Sequence, residues 1–283
     1  WNVASVTSME GMFKYAGNYF NQPLDDWNVA SVTNMEGMFG KATNFNQPLD
    51  DWNVARVNNM YNMFKYAANF NQPLDDWNVA NVNTMKRMFD KASNFNQPLN
   101  DWNVASVTDM FVMFGKASNF NQPLDDWDVA SVNDMAFMFE DATKFNQPLN
   151  DWNVASVINM NGMFTRASNF NQPLDDWNVA SVNDMAFMFK DTTDFNQCLS
   201  SWASKVPTDV NVNEIFEDSG CPDKNPVVNV APWCQGEAEQ CLAPSNATTD
   251  PPASAAPSAA PSPRKSTKSP SAAPSTAPSA APS

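Results

Sequence analysis

Apolar residues recur along this chain with a period of 25. Trp27, Trp52, Trp77, Trp102, Trp127, Trp152, Trp177 and Trp202 are evenly spaced, and Trp1 precedes Trp27 by 26 because of one extra residue near Tyr19. A fixed period of this size marks a repeat architecture. Counted from its tryptophan, the unit WNVASVTNMEGMFGKATNFNQPLDD (27–51) is apolar at positions 1, 3, 6, 9, 12, 13, 16, 19 and 23. The alternation ending Leu49, Trp52, Val54 predicts a short strand. Val32, Met35, Met38, Phe39 and Ala42 form one apolar stripe at helical spacing and predict a short helix. Thr7 with Glu10, and Thr33 with Glu36, fit a capping box at its start, and Pro48 closes the turn into the next strand.

Neither element survives alone in water, but stacked copies do. Parallel strands about 4.8 Å apart place eight coils over roughly 38 Å, with the apolar positions forming columns inside. Residues 1–201 are therefore expected to form an α/β repeat solenoid, a right-handed coil with one short strand and one short helix per 25-residue repeat. All 16 methionines lie in these eight units, two per unit, and read as core filling. Residues 202–241 are expected to cap the last coil, with Val212, Ile215 and Phe216 standing roughly where two methionines and a phenylalanine would be. Residues 242–283 form a Pro/Ser/Ala-rich segment, expected as a disordered stalk; Pro251–Ser283 alone holds 9 Pro, 9 Ser and 10 Ala. The chain opens at Trp1 inside a repeat, as a fragment or trimmed form would.

The pattern Leu-x-x-Trp-x-Val-x-x-Val-x-x-Met-x-x-Met-Phe-x-x-Ala-x-x-Phe-Asn-Gln, present in eight units, resembles the BspA-type leucine-rich repeat of bacterial and protist surface proteins, in the 25-residue form seen in mycoplasma lipoproteins. The resemblance implies a leucine-rich-repeat-like coil and an extracellular or cell-surface recognition or adhesion protein that binds proteins or glycans. The C-terminal cysteines and tail are not part of that signature.

Composition narrows the chemistry. The chain of 283 residues contains no histidine, which excludes Ser/His/Asp and Cys/His nucleophile systems and His-ligated metal. Its net charge of −15 argues against nucleic acid as a partner. No run of 18 apolar residues occurs, so no transmembrane segment is expected. No unit carries a distinct pair of carboxylates or a phosphate-cradling glycine loop, and no enzyme activity is expected.

The two positions before each tryptophan hold Asp25, Asp26, Asp50, Asp51, Asp75, Asp76, Asp101, Asp125, Asp126, Asp151, Asp175 and Asp176, with Asn100 and Asn150 in the remaining two places. Stacked at repeat spacing, they would make rows of carboxylates, flanked by Asn53, Asn78, Asn103 and Asp128 at the second position. Such rows can attract Ca or Mg, or a basic partner; alternatively they are solvated turn residues. No tightly bound cofactor is expected. The Asn-Gln pairs beginning at Asn21, Asn46 and Asn71 read as structural, satisfying turn backbone groups. Val112, Phe137 and Phe187 at position 11 offer an apolar strip for a partner, or else lie over neighbouring coils.

All four cysteines are C-terminal. Their even number points to disulfides and an oxidising compartment, with Cys198–Cys221 and Cys234–Cys241 the favoured pairing of three possible. Asn246-Ala247-Thr248 is an N-glycosylation acceptor, and stalk, sequon and cysteines together point outside the cytoplasm. The second functional class is a structural component of a cell wall or mineral-associated matrix.

Overall fold

Residues three apart in the repeat face inward together, and hydrogen bonds between residues three apart hold them there. In the second coil Val32 N–H donates to Val29 O, Met38 to Met35, Ala42 to Phe39 and Phe45 to Ala42, at 2.9–3.2 Å. The alternate amides point along the stack. Those of Met35, Gly37, Phe39 and Lys41 donate to the carbonyls of Asn59, Tyr61, Met63 and Lys65 in the next coil, at 2.7–3.0 Å. Position 7 runs in the opposite sense, with Asn58 N–H donating to Thr33 O at 2.9 Å. Parallel bridges at position 8 link every coil to the next, from Ser8–Asn34 to Asp184–Asn211. A computed structural model of the chain describes residues 1–17, 19–228, 230 and 233–234, and its main compact unit is Trp1–Ala243.

The expected α/β solenoid, with a helix and a strand in each unit, does not form. Among the described residues the helical structure is a single 3-10 turn, Trp202–Ser204, and the pairing between coils consists of isolated bridges rather than named strands. The cause lies at positions 11 and 15. Gly37 and Lys41 have φ of 58° and 62°, Arg87 and Lys91 55° and 64°, and the other units follow. A right-handed helix requires φ near −60° throughout. Two left-handed residues four apart instead break the chain into consecutive turns and free alternate amides for the neighbouring coil. No capping box forms: Asn34 Oδ1 accepts the Glu36 N–H at 2.9 Å, and Thr33 Oγ1 donates to Thr7 O at 3.2 Å.

The columns expected inside are present. Phe39, Phe64 and Phe89 stack at 5.5–5.6 Å between ring centroids, and each ring lies 4.0–4.1 Å from the position-19 ring of its own coil. The methionines from Met35 to Met188 are fully buried. From Trp52 to Trp202 each indole is buried and donates to the leucine carbonyl of the preceding coil, as Trp77 does to Leu49 O at 2.9 Å. At the N-terminal end Trp1 and Tyr19 are exposed.

At the other end the ladder continues into the cap. Met185 N–H donates to Asn211 O, Ile215 and Phe216 are fully buried, and Phe216 stacks on Phe189 at 5.7 Å. The favoured cysteine pairing is corrected: Cys221 bonds to Cys234, 13 residues on, and Cys198 is also disulfide-bonded. Trp233 is buried with its carbonyl 3.3 Å from Leu199 N, and this docking brings Cys234 to Cys221. Cys241, Asn246 and the segment 242–283 lie outside the described residues.

Candidate functional site

The aspartates before each tryptophan sit in the turn that ends each coil. Asp25, Asp26, Asp50, Asp51, Asp75, Asp76, Asp101, Asp125, Asp126, Asp151 and Asp176 are exposed, and Asp175 is half-buried. Where asparagine replaces aspartate, the turns are tied across coils: Asn100 Oδ1 accepts the Asp126 N–H at 3.1 Å, and Asn150 donates to the Asp176 carboxylate. Asp175 accepts the Ser201 N–H at 2.8 Å. No group of three or more ligating side chains suited to a metal occurs among the described residues.

The flanking second position is occupied by local bonding. Asn53, Asn78 and Asn103 each accept the N–H of the alanine two residues on at 3.2 Å, and Asp128 does so at 3.1 Å. The Asn-Gln pairs form ladders of the expected structural kind. Asn46 Oδ1 accepts the Asn71 N–H at 2.8 Å, and Gln72 Nε2 donates to Asn46 O at 3.1 Å.

Val112, Phe137 and Phe187 do not stand on a helix. Val112 is buried, with its Cγ1 close over Gly115; the Phe137 ring lies across Gly162 of the next coil; and Lys190 sits 5.5 Å from the Phe187 ring centre. The strip is thus largely laid down onto its neighbours.

The structure assembles a face that reading along the sequence missed. Positions 10, 11, 14 and 15 lie on the same ribbon of turns, and nine of the eleven cations in residues 1–201 occupy them. In coils 1–5 these positions hold Lys14, Lys41, Lys65, Lys86, Arg87, Lys91 and Lys116 against Glu10, Glu36 and Asp90, so 7 − 3 = +4. Aromatic rings lie between the cations. Tyr15 is 4.7 Å from the Lys41 ammonium, Tyr66 is 4.3 Å from Lys91, and Phe111 is 5.1 Å from the Arg87 guanidinium. Apart from Lys86, Arg87 and Lys91 in coil 4, each of the first five coils contributes a single cation, so no long charge run announces the face. The signal was the variable positions of the repeat read as columns.

From coil 6 onward the same face is neutralised. Arg166 binds Asp141 through Nε at 2.7 Å and also pairs with Glu140, while Lys190 pairs with Glu214 at 2.6 Å and with Glu217. The Asp141 hydrogen bond raises the Arg166 pKa. Glu214 first, then Glu217, raises that of Lys190, and Lys190 in turn lowers Glu214. In the first half the Lys91–Tyr66 hydrogen bond, 2.7 Å long, lowers the phenol and raises the ammonium. Burial raises the Asp134 carboxyl above its ordinary value.

No helix among the described residues is long and apolar enough to cross a membrane. The profile of a family described as "Mycoplasma protein of unknown function, DUF285" matches residues 1–93, 72–158 and 124–226. No curated protein and no solved structure matches the chain.

Proposed function

We propose, on the premise that the chain belongs to the DUF285 family of Mycoplasma proteins of unknown function, that it is an extracellular or cell-surface recognition protein, without enzymatic activity, that binds proteins or glycans. One observation carries this reading: chemical variation is concentrated on one face of a constant frame. Positions 1, 3, 6, 9, 12, 13 and 19 keep the same residue type through eight units, whereas position 10 runs Glu, Glu, Tyr, Lys, Phe, Ala, Asn, Ala. Packing demands constancy inside and leaves the display face free to serve a partner. Many weak contacts at regular spacing then sum to useful avidity.

The Cys221–Cys234 disulfide supports an oxidising location, and the repeat's resemblance to BspA-type surface proteins supports the same placement. The test is binding of the labelled chain to intact cells, extracellular proteins and a glycan panel, each with calcium and with chelator. Saturable binding supports recognition. Its loss in chelator, and in the variant with Asp75, Asp76, Asp125 and Asp126 changed to Asn, assigns the site to the aspartate rows. The exposed regularity of those rows favours a second reading, a wall or mineral-matrix component, for which adsorption to mineral without saturable binding is the expected result.

A further inference from the structure

We propose that the cationic, aromatic face of coils 1–5 binds a linear anionic polysaccharide, carboxylated or sulfated, directly and without a bridging metal ion. The inference rests on the recognition reading and deepens it by naming a face and a ligand chemistry.

Two cavities on this face, about 270 Å³ and about 410 Å³, share Lys65 and Tyr66 and so lie side by side along the stack. The first begins at Lys14 and Tyr15, and the second reaches Phe137 and Glu140. Each of the five coils supplies one lysine at position 14 or 15. At about 4.8 Å per coil, the five ammonium groups span roughly 20 Å. A stacked repeat thus presents charge at regular intervals along a line, which is the form in which a linear polyanion presents it.

Three of the seven cations pair with carboxylates, Lys65 with Asp90, Lys86 with Asp109 and Lys116 with Glu140 and Asp141, at 3.2–3.8 Å, and the others do not. Among the described residues, Lys14, Lys41 and Lys91 make no ion pair, and Arg87 Nε is buried without an acceptor. Asn62 Oδ1, on the wall of the first cavity, is likewise unpartnered. Glu10 and Glu36 are engaged by Asn34 and Asn59 of the bridge row, and Asp90, next to Lys91 in sequence, pairs with Lys65. On a chain of net charge −15, a row of seven cations that keeps Lys14, Lys41 and Lys91 outside any ion pair is a charge pattern that solubility does not require.

The aromatic rings select among polyanions. Tyr15, two-thirds exposed, and Tyr66 set flat apolar surfaces beside the ammonium groups, suited to the C–H faces of sugar rings while lysine takes the carboxylate or sulfate. A nucleic acid presents bases rather than sugar-ring faces to such a surface, so an oligonucleotide separates recognition of a saccharide from attraction of charge alone.

The test is calorimetric titration of the full chain, in chelator, with a size-defined heparin oligosaccharide, an oligouronate, neutral dextran and a single-stranded oligonucleotide of matched length. Either anionic saccharide is expected to bind and dextran is not. Affinity should fall by about two orders of magnitude between 50 and 200 mM salt, as four or five neutralised charges require. Lys41→Glu with Lys91→Glu should weaken binding at least tenfold; Lys41→Gln with Lys91→Gln, which keeps the stems, should weaken it less. Lys190→Gln and the aspartate-row variant should bind as the parent does.

Unchanged binding in both double variants, failure of both anionic saccharides, or tighter binding of the oligonucleotide overturns the inference. If the chain still binds cells or proteins in the broader panel, the assignment of this face alone has failed. If nothing in either experiment binds, the recognition reading fails with it.

Discussion

Positions 10, 11, 14 and 15 build one face along the whole stack, yet its two halves behave differently. In coils 1–5 the cations are mostly met by aromatic rings, whereas from coil 6 to the cap Arg166 and Lys190 are locked onto carboxylates. The backbone is the same in both: Arg87 and Arg166 belong to the same ladder of left-handed residues and inter-coil hydrogen bonds. The frame therefore sets where a side chain emerges, and the substitution at each coil sets whether its charge is spent internally. In the first half Lys14, Lys41 and Lys91 stand outside any ion pair, beside the paired Lys65, Lys86 and Lys116, and these three are the charges the proposal leaves for a partner.

Substitutions inside the frame should not distinguish the halves. Phe64→Ala and Phe164→Ala each remove a fully buried ring stacked on three others, and each is expected to cost about 3–5 kcal/mol in denaturant unfolding. A large difference between them would mean that the two halves do not share one core.

Next in size is a pair of glycines at position 11. Gly37 and Gly162 have φ of 58° and 59°, so alanine at either is strained by about 1–2 kcal/mol. A Cβ on Gly37 meets only the Lys14 stem at 3.8 Å, whereas one on Gly162 would collide with the Phe137 ring at 2.3 Å. Gly162→Ala should therefore be the more destabilising by about 1 kcal/mol, and a Phe137→Ala background should abolish the difference.

The charged groups come after. Arg166→Gln breaks a two-point ion pair on a partly exposed side chain and should cost about 1 kcal/mol, less in high salt, while Lys41→Gln should change stability by less than about 0.5 kcal/mol. Equal losses at the two sites would erase the contrast between paired and unpaired cations.

The smallest effect is at Asp134. Burial raises its folded pKa, so the folded state holds the proton more tightly than the unfolded one, and stability falls as pH rises through that window. Asp134→Asn, which places there the residue present at Asn34, Asn59 and Asn159, should remove that slope and add about 0.5 kcal/mol at neutral pH. Thermal unfolding from pH 3 to 7 measures both.

Much of the interior was legible. The Trp, Val, Met and Phe columns, the structural Asn-Gln ladders and the capping role of Ile215 and Phe216 all follow from which residue types recur at which position. The stripe of Val32, Met35, Met38, Phe39 and Ala42 misled because helices and chained turns both bring residues three apart to one side. The strict threes from position 3 to position 12, without the fourth-residue steps a helix needs, were the available signal. The disulfide escaped because pairing depends on the docking of Trp233 beside Leu199, which spacing does not encode. The cationic face escaped because, Lys86, Arg87 and Lys91 of coil 4 aside, its members come one to a coil and meet only across coils.

By itself, then, the amino-acid sequence determined the repeat, its length and the identity of the core, because apolar burial depends on residue type and order. Tertiary structure alone decided the secondary structure. In isolation the amides of Met35, Gly37, Phe39 and Lys41 would be free to bond within a helix. With the next coil stacked beside them they are satisfied by Asn59, Tyr61, Met63 and Lys65, and the chain turns left-handed at Gly37 and Lys41 to reach those partners.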